Sequence, residues 1–275
     1  GQADRRQHIA AEVAAIGDPA VDPRLDIGRG AAGQEMGDAR YFLEVMSCHG
    51  VAHALLVGPN SGYGTDNRCL LDAIARGAGR FKGIAVVTNQ ASRDELQAMK
   101  AQGVIGIAFN YALHGFAYYA DTSPLMQRLA DLGMFVQVQT ERDQLVELGP
   151  RLLESGAPLM VDHCGRPAVS EGVHGPGFDA LLKLSGHGRA TVKISGFSKF
   201  SQEDLPFDDV QPFTDALLQA FGPDHCVWAS DWPFLRAPRR LDYGPLLQLA
   251  GRTLATPALR QAVLWDTPRR LFGFV

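Results

Sequence analysis

The chain has 275 residues, with 26 Lys+Arg against 30 Asp+Glu and a formal net charge of −4. That balance is too mild for a protein held to nucleic acid by charge, and 46% hydrophobic with 20% charged residues excludes a mainly disordered chain. No run approaches the roughly 18 uninterrupted apolar residues of a membrane helix, and no charged-then-apolar start resembles a signal peptide, so a soluble, unexported, cytoplasmic protein without a membrane partner is expected. Cys48, Cys69, Cys164 and Cys226 are far apart with no CxxC pair, which suits reduced thiols acting as small buried hydrophobes.

In chain order, the first 35 or so residues are atypical. RRQHIAAEVAAIG has helical spacing, a Pro/Gly/Asp-rich stretch follows, and RLDIG from Arg24 is the expected first strand. A helix is predicted around Tyr41 to His49. Strands are then predicted at HALLVGP from His53, FKGIAVV from Phe81, VIGIAFN from Val104, MFVQVQT from Met134, PLMVDHC from Pro158, ATVKISG from Ala190 and CVWASDW from Cys226. Their near-continuous apolarity is that of parallel strands covered on both faces. Between them, DNRCLLDAIARG, SRDELQAMKAQG, SPLMQRLADLG, FDALLKLSG and VQPFTDALLQAFG read as helices that mostly stop at glycine. Eight strands in this rhythm predict one α/β domain, 1–275, folded as a (β/α)8 TIM barrel. The rival is an open doubly wound sheet, whose dinucleotide form lacks its GxGxxG turn here. Two long loops, GRPAVSEGVHGPG and FSKFSQEDLPFDDV, follow the sixth and seventh strands and are candidate pocket walls.

Ionisable groups stand at strand ends, where a barrel builds its active site. Asp231 in WASDWP reads as a general base, against a plain turn or cap. His163 is followed by Gly165 and Arg166, a turn bearing a guanidinium suited to a carboxylate or oxyanion. Lys193 in VKISG is either a substrate-carboxylate contact or half of a buried ion pair. His114 lies among Tyr111, Tyr118 and Tyr119. His53 is read as structural, and His8, His49, His174, His187 and His225 as solvated surface.

The runs VDHCGRP, ASDWPF and DTPRRLFGF, with GYGTDNRCLLDAIARGAGRFKGIAVV and VKISG, carry a resemblance that extends from about Gly50 to Val275. On these residues the chain resembles the amidohydrolase-related (amidohydrolase-2) family of the amidohydrolase superfamily, in its 2-pyrone-4,6-dicarboxylate lactonase-like group. The resemblance implies a barrel with a hydrolytic site at its carboxyl face. Its usual site has an HxH pair on the first strand, histidines on the fifth and sixth, and an aspartate on the eighth. His163 and Asp231 match the last two. No HxH occurs, Gly28 and Gly30 of RLDIGRG stand in its place, and Gln139 stands for the fifth-strand histidine. An amide is a poor zinc ligand, so no metal and no other cofactor is expected.

The resemblance also implies arginines that hold substrate carboxylates. Arg166 matches one, Ala108 replaces another, and Lys199 stands where a third is common, so a doubly charged pyrone dicarboxylate is disfavoured. The expected catalytic residues are therefore Asp231 and His163. Arg166, Lys193, Lys199, Asn110, Gln139 and Tyr63 are expected to bind a small lactone or carboxylate. Three readings stay open: a metal-independent lactone hydrolase, a catalytically dead barrel kept for binding or assembly, and a metal enzyme using His163, Asp231 and His114.

Overall fold

The structure, a computed structural model, describes residues 9–14 (backbone only), 37–59 and 63–275. The strands are β1 (Ile9–Ala14), β2 (Val51–Val57), β3 (Phe81–Ala85), β4 (Val104–Asn110), β5 (Phe135–Gln139), β6 (Leu159–Val161), β7 (Ala190–Ile194) and β8 (Cys226–Trp228). They form one eight-stranded sheet in sequence order, and every neighbouring pair is parallel. β1 also contacts β8. Order, direction and this contact together describe a TIM-like α/β barrel.

The helices α1 (Ala39–His49), α2 (Arg68–Arg76), α3 (Arg93–Ala101), α4 (Tyr111–Tyr118), α5 (Ser123–Leu132), α6 (Gln144–Glu154), α7 (Pro176–Leu184), α8 (Gln211–Phe221) and α9 (Tyr243–Thr253) come between or after strands. Two short ones, α10 (Pro257–Gln261) and α11 (Thr267–Phe272), finish the chain. Their ends follow local chemistry. Asp38 accepts the Arg40 and Tyr41 amide N–H groups at 2.8 and 3.0 Å, and Ser92 with Glu95 forms a reciprocal cap on α3. None of the described helices is long and apolar enough to cross a membrane.

The strands alternate between two apolar layers. Leu56, Ile107, Val136, Val138, Leu159, Val161, Val192 and Ile194 pack outward among the helices. Leu55, Val57, Ile84, Ala108, Phe135, Met160 and Val227 form a second cluster, which Phe272 and Phe274 from the chain's end complete. Period-two alternation thus produces both a wall against the helices and a filled interior.

The amino-terminal expectation requires correction. The segment read as helical is the strand β1, while RLDIG, with Gly28 and Gly30, lies outside the described residues. Alanine and glutamate favour a helix in isolation, but pairing with β2 supplies backbone hydrogen bonds that local propensity cannot match. In that pairing Glu12 and Ala14 stand in register with Leu55 and Val57, and Ile9–Ala14 contains no histidine.

Candidate active site

The chemistry gathers where β5 to β8 end. After β6 the backbone turns through four consecutive left-handed residues, His163 (φ 52°), Cys164 (φ 55°), Gly165 (φ 72°) and Arg166 (φ 48°). Three of these are not glycine, and such a conformation costs of order 1 kcal/mol or more each. The turn is held by the Gly165 and Arg166 N–H groups, which donate to the carbonyls of Asp162 and His163 at 2.8 and 2.9 Å. Asp231 after β8 is also left-handed (φ 57°). Strained backbone therefore aims both principal side chains.

His163 is 3% exposed and Asp231 6%. His163 Nε2 lies 3.7 Å from Asp231 Oδ1, and Nδ1 lies 3.1 Å from Ser195 Oγ. Gly196 (φ 64°) makes room for the ring, since a Cβ there would stand 2.4 Å from Nδ1. Burial pulls the imidazole down to about 3, Asp162 opposes this, and Lys199, Lys193 and Arg166 add to it. The ring is thus neutral near pH 7. Burial pushes the neighbouring Cys164 thiol up to about 12, so it is inert, consistent with its reading as a small hydrophobe.

Asp231 Oδ2 meets Lys199 Nζ at 2.9 Å, and the same ammonium donates to the Leu235 carbonyl at 3.0 Å. Arg166 Nη2 meets Glu141 Oε2 at 3.0 Å. Deeper in the barrel, Lys193 Nζ lies 2.6 Å from Asp162 Oδ1, and Gln137 Nε2 donates to Asp162 Oδ2 at 3.0 Å. Lys193 is 0% and Asp162 1% exposed, so these charges compensate one another away from water.

A cavity of about 440 Å³ brings Asn110, Gln139, His163, Arg166, Lys199 and Asp231 to one surface. Two expected substrate contacts fall elsewhere. Lys193 does not line this cavity and is the buried ion-pair partner of Asp162, while Tyr63 sits in the turn before α2, outside the lining. Lys199 lines the cavity, but its partner is Asp231. Arg236, which sequence reasoning missed, also lines the cavity on the loop after β8. Ser195 was missed as well, although its spacing two residues beyond inward Lys193 carried the signal. Nothing local marked Glu141 as a partner of Arg166. His114 stacks on Tyr118 at 4.4 Å and does not line the cavity, and His53 stacks on Phe274 at 4.7 Å.

Among the described residues no three His, Cys, Asp or Glu side chains converge. An ammonium already sits on Asp231, where it would repel a dication, and the nearby Asn110 and Gln139 offer only amides. What the arrangement can do is hold one carboxylate, one neutral imidazole and several cationic donors around a small molecule.

The chain is similar to several known proteins. The 4-sulfomuconolactone hydrolase of Rhizobium radiobacter is 31% identical over 241 residues, which cover 85% of this chain and 80% of that one. The 2-pyrone-4,6-dicarboxylate hydrolase of Comamonas testosteroni is 31% identical over 222 residues, covering 76% and 72%. A crystal structure from Acinetobacter baumannii, provisionally assigned as a 2-pyrone-4,6-dicarboxylic acid hydrolase and holding citric acid, superposes with a TM-score of 0.86 at 25% identity, over 97% of this chain and all of that one. The amidohydrolase family model Amidohydro_2 matches residues 5–274, and the chain belongs to that family.

Proposed function

We propose that the protein is a hydrolase of lactones, or of similarly activated cyclic esters, that bear a carboxylate, and that it works without a metal ion. The observation that carries this reading is the convergence of Asp231, His163 and Lys199 on the cavity that also holds Arg166. The lactone-hydrolysing relatives and the polycarboxylate held by the Acinetobacter structure support the same substrate class. Closure of the sheet into a complete (β/α)8 barrel, with this site at its carboxyl mouth, belongs to the same proposal.

In this mechanism Asp231 takes a proton from water as its oxygen adds to the lactone carbonyl carbon. With Ser195 Oγ–H donating to Nδ1, neutral His163 carries its proton on Nε2 and presents it to the developing oxyanion. Lys199 supplies positive charge beside the same reaction, and Arg166 holds the substrate's carboxylate. When the tetrahedral intermediate collapses, the ring C–O bond breaks and protonated Asp231 returns the proton to the leaving oxygen, so one water is consumed and one hydroxy acid or its tautomer forms. General-base assistance is worth roughly 10²–10⁴ and an oriented donor about 10²–10³. An activated lactone needs less than an amide.

The test is turnover of a panel of carboxylated lactones by the purified protein and by Asp231→Asn, before and after dialysis against chelator. Turnover that survives dialysis and falls in the variant is the expected result. Background rates in both proteins would leave a binding barrel, and dependence on a retained metal would overturn the metal-free mechanism.

A further inference from the structure

Beyond the wall formed by Arg166 and Lys199 lies a second cavity of about 290 Å³, which shares those two residues with the first. Its other walls include Glu141, Ala168, Ser170 and Gln202. It is built by the two long loops singled out in the sequence together with Glu141 and Arg142 of the loop after β5. We propose that this annexe is a specificity subsite for a polar, hydroxylated arm on the substrate ring. The proposal rests on the hydrolase reading above and extends it from the reacting ring to what the ring carries.

The walls of the annexe are constructed, not casual. The loop after β5 is tied to the loop after β6 by the Arg142 N–H, which donates to the Arg166 carbonyl at 3.0 Å, and both residues are left-handed (φ 50° and 48°). Helix α7 seals this junction from behind, because Gly177 lies so close that a Cβ there would stand 1.8 Å from the Arg142 carbonyl oxygen. Two linked residues in costly conformations, pinned by a helix that only glycine allows to approach, describe a preorganised wall.

Its chemistry selects hydrogen bonding over charge. Its charged walls balance: Arg166 is matched by Glu141 at 3.0 Å and Lys199 by Asp231 at 2.9 Å, and Arg142 and Glu171 add one charge of each sign. Glu141, Ser170 and Gln202 add acceptors and donors, while Pro167, Ala168 and Val169 give an apolar strip. Hydroxyls on a short carbon chain satisfy both kinds of wall. A purely alkyl arm would strand the polar ones.

The test compares two γ-butyrolactone carboxylates, one plain and one carrying a 2,3-dihydroxypropyl arm on the ring, on wild type, Ala168→Phe and Ser170→Trp. Ala168 and Ser170 line only the annexe, and the exposed Ser170 provides a second filler where Ala168→Phe upsets folding. The armed lactone should show kcat/KM about tenfold above the plain one, as one or two net hydrogen bonds would give. Either filler should erase that preference and leave the plain lactone within about twofold. Calorimetry with the two ring-opened hydroxy acids should show the same preference in affinity. Equal affinity for the two acids, or a preference that survives filling, overturns the annexe. Absence of turnover with both lactones overturns the hydrolase reading, while the calorimetric comparison still decides the subsite. Binding of neither acid overturns both.

Discussion

The two halves of the barrel are built on different principles. In the first half, β2 to β4 turn Leu55, Val57, Ile84 and Ala108 inward, and no non-glycine residue in the described loops after these strands is left-handed. In the second half, β5 to β8 and the turns after them carry Gln137, Asp162, His163, Lys193, Ser195 and Asp231, all buried. The left-handed residues Arg142, His163, Cys164, Arg166, Phe207, Asp231, Phe234 and Arg236 belong to that half too, against Ala78, between α2 and β3, in the first. The difference shows where the fold banks its stability and where it uses it. Hydrocarbon packing on one side offsets the desolvation and strain that hold charged groups in place on the other.

Four changes would break or sharpen this contrast. The largest effect is expected for Asp231→Asn, which should lower kcat about 10³-fold, roughly 4 kcal/mol, with an unchanged far-ultraviolet spectrum. A variant that keeps wild-type kcat would remove Asp231 from the chemistry. Next comes the buried pair. Lys193→Met leaves Asp162 uncompensated and should destabilise the protein by about 3–5 kcal/mol in urea unfolding, and Lys193→Met with Asp162→Asn should recover part of that loss. No recovery would mean that the pair is not the source of the cost.

The third is a dependence on pH. The His163 imidazole takes its proton near pH 6.5 in the unfolded chain but only near 3 in the folded one. The unfolded state binds more protons between these values, so stability falls as pH drops below 6.5, by about 1.4 kcal/mol per pH unit from this group, and is untouched above it. Urea midpoints at pH 7 and pH 5, compared between wild type and His163→Gln, should show a shallower slope in the variant. Parallel slopes would contradict the buried neutral ring. The smallest effect belongs to the apolar half: Ile84→Val should cost about 1 kcal/mol and leave kcat unchanged. A clear loss of activity there would show that the two halves are not separable.

Legibility in the sequence divided along the same line. The runs at Phe81, Val104, Met134 and Ala190 announced their strands because β-branched and aromatic residues with apolar flanks have few other uses. His163, Asp231 and Asn110 were legible because they stand at the ends of such runs, while Arg166, in the turn after one, and Gln139 were singled out by the family resemblance. β1 was not, since an alanine-rich segment with one glutamate satisfies a helical pattern equally well, and only the neighbouring β2 decides against it. The role of Lys199 was half legible. Its place near the mouth follows from its distance beyond β7, but nothing within its own loop announces Asp231 as its partner.

By itself, then, the sequence determined the alternation of strands and helices, the family, and the identity of most groups at the mouth, because these depend on local pattern and on residue type at strand ends. The tertiary structure decided the pairings: Lys199 with Asp231, Lys193 with Asp162, Arg166 with Glu141, and Ser195 with His163. It also decided which loops enclose the second cavity. Each of these joins residues from different strands or loops, and electrostatic and hydrogen-bond energies depend on distance and burial in space, which linear order does not encode.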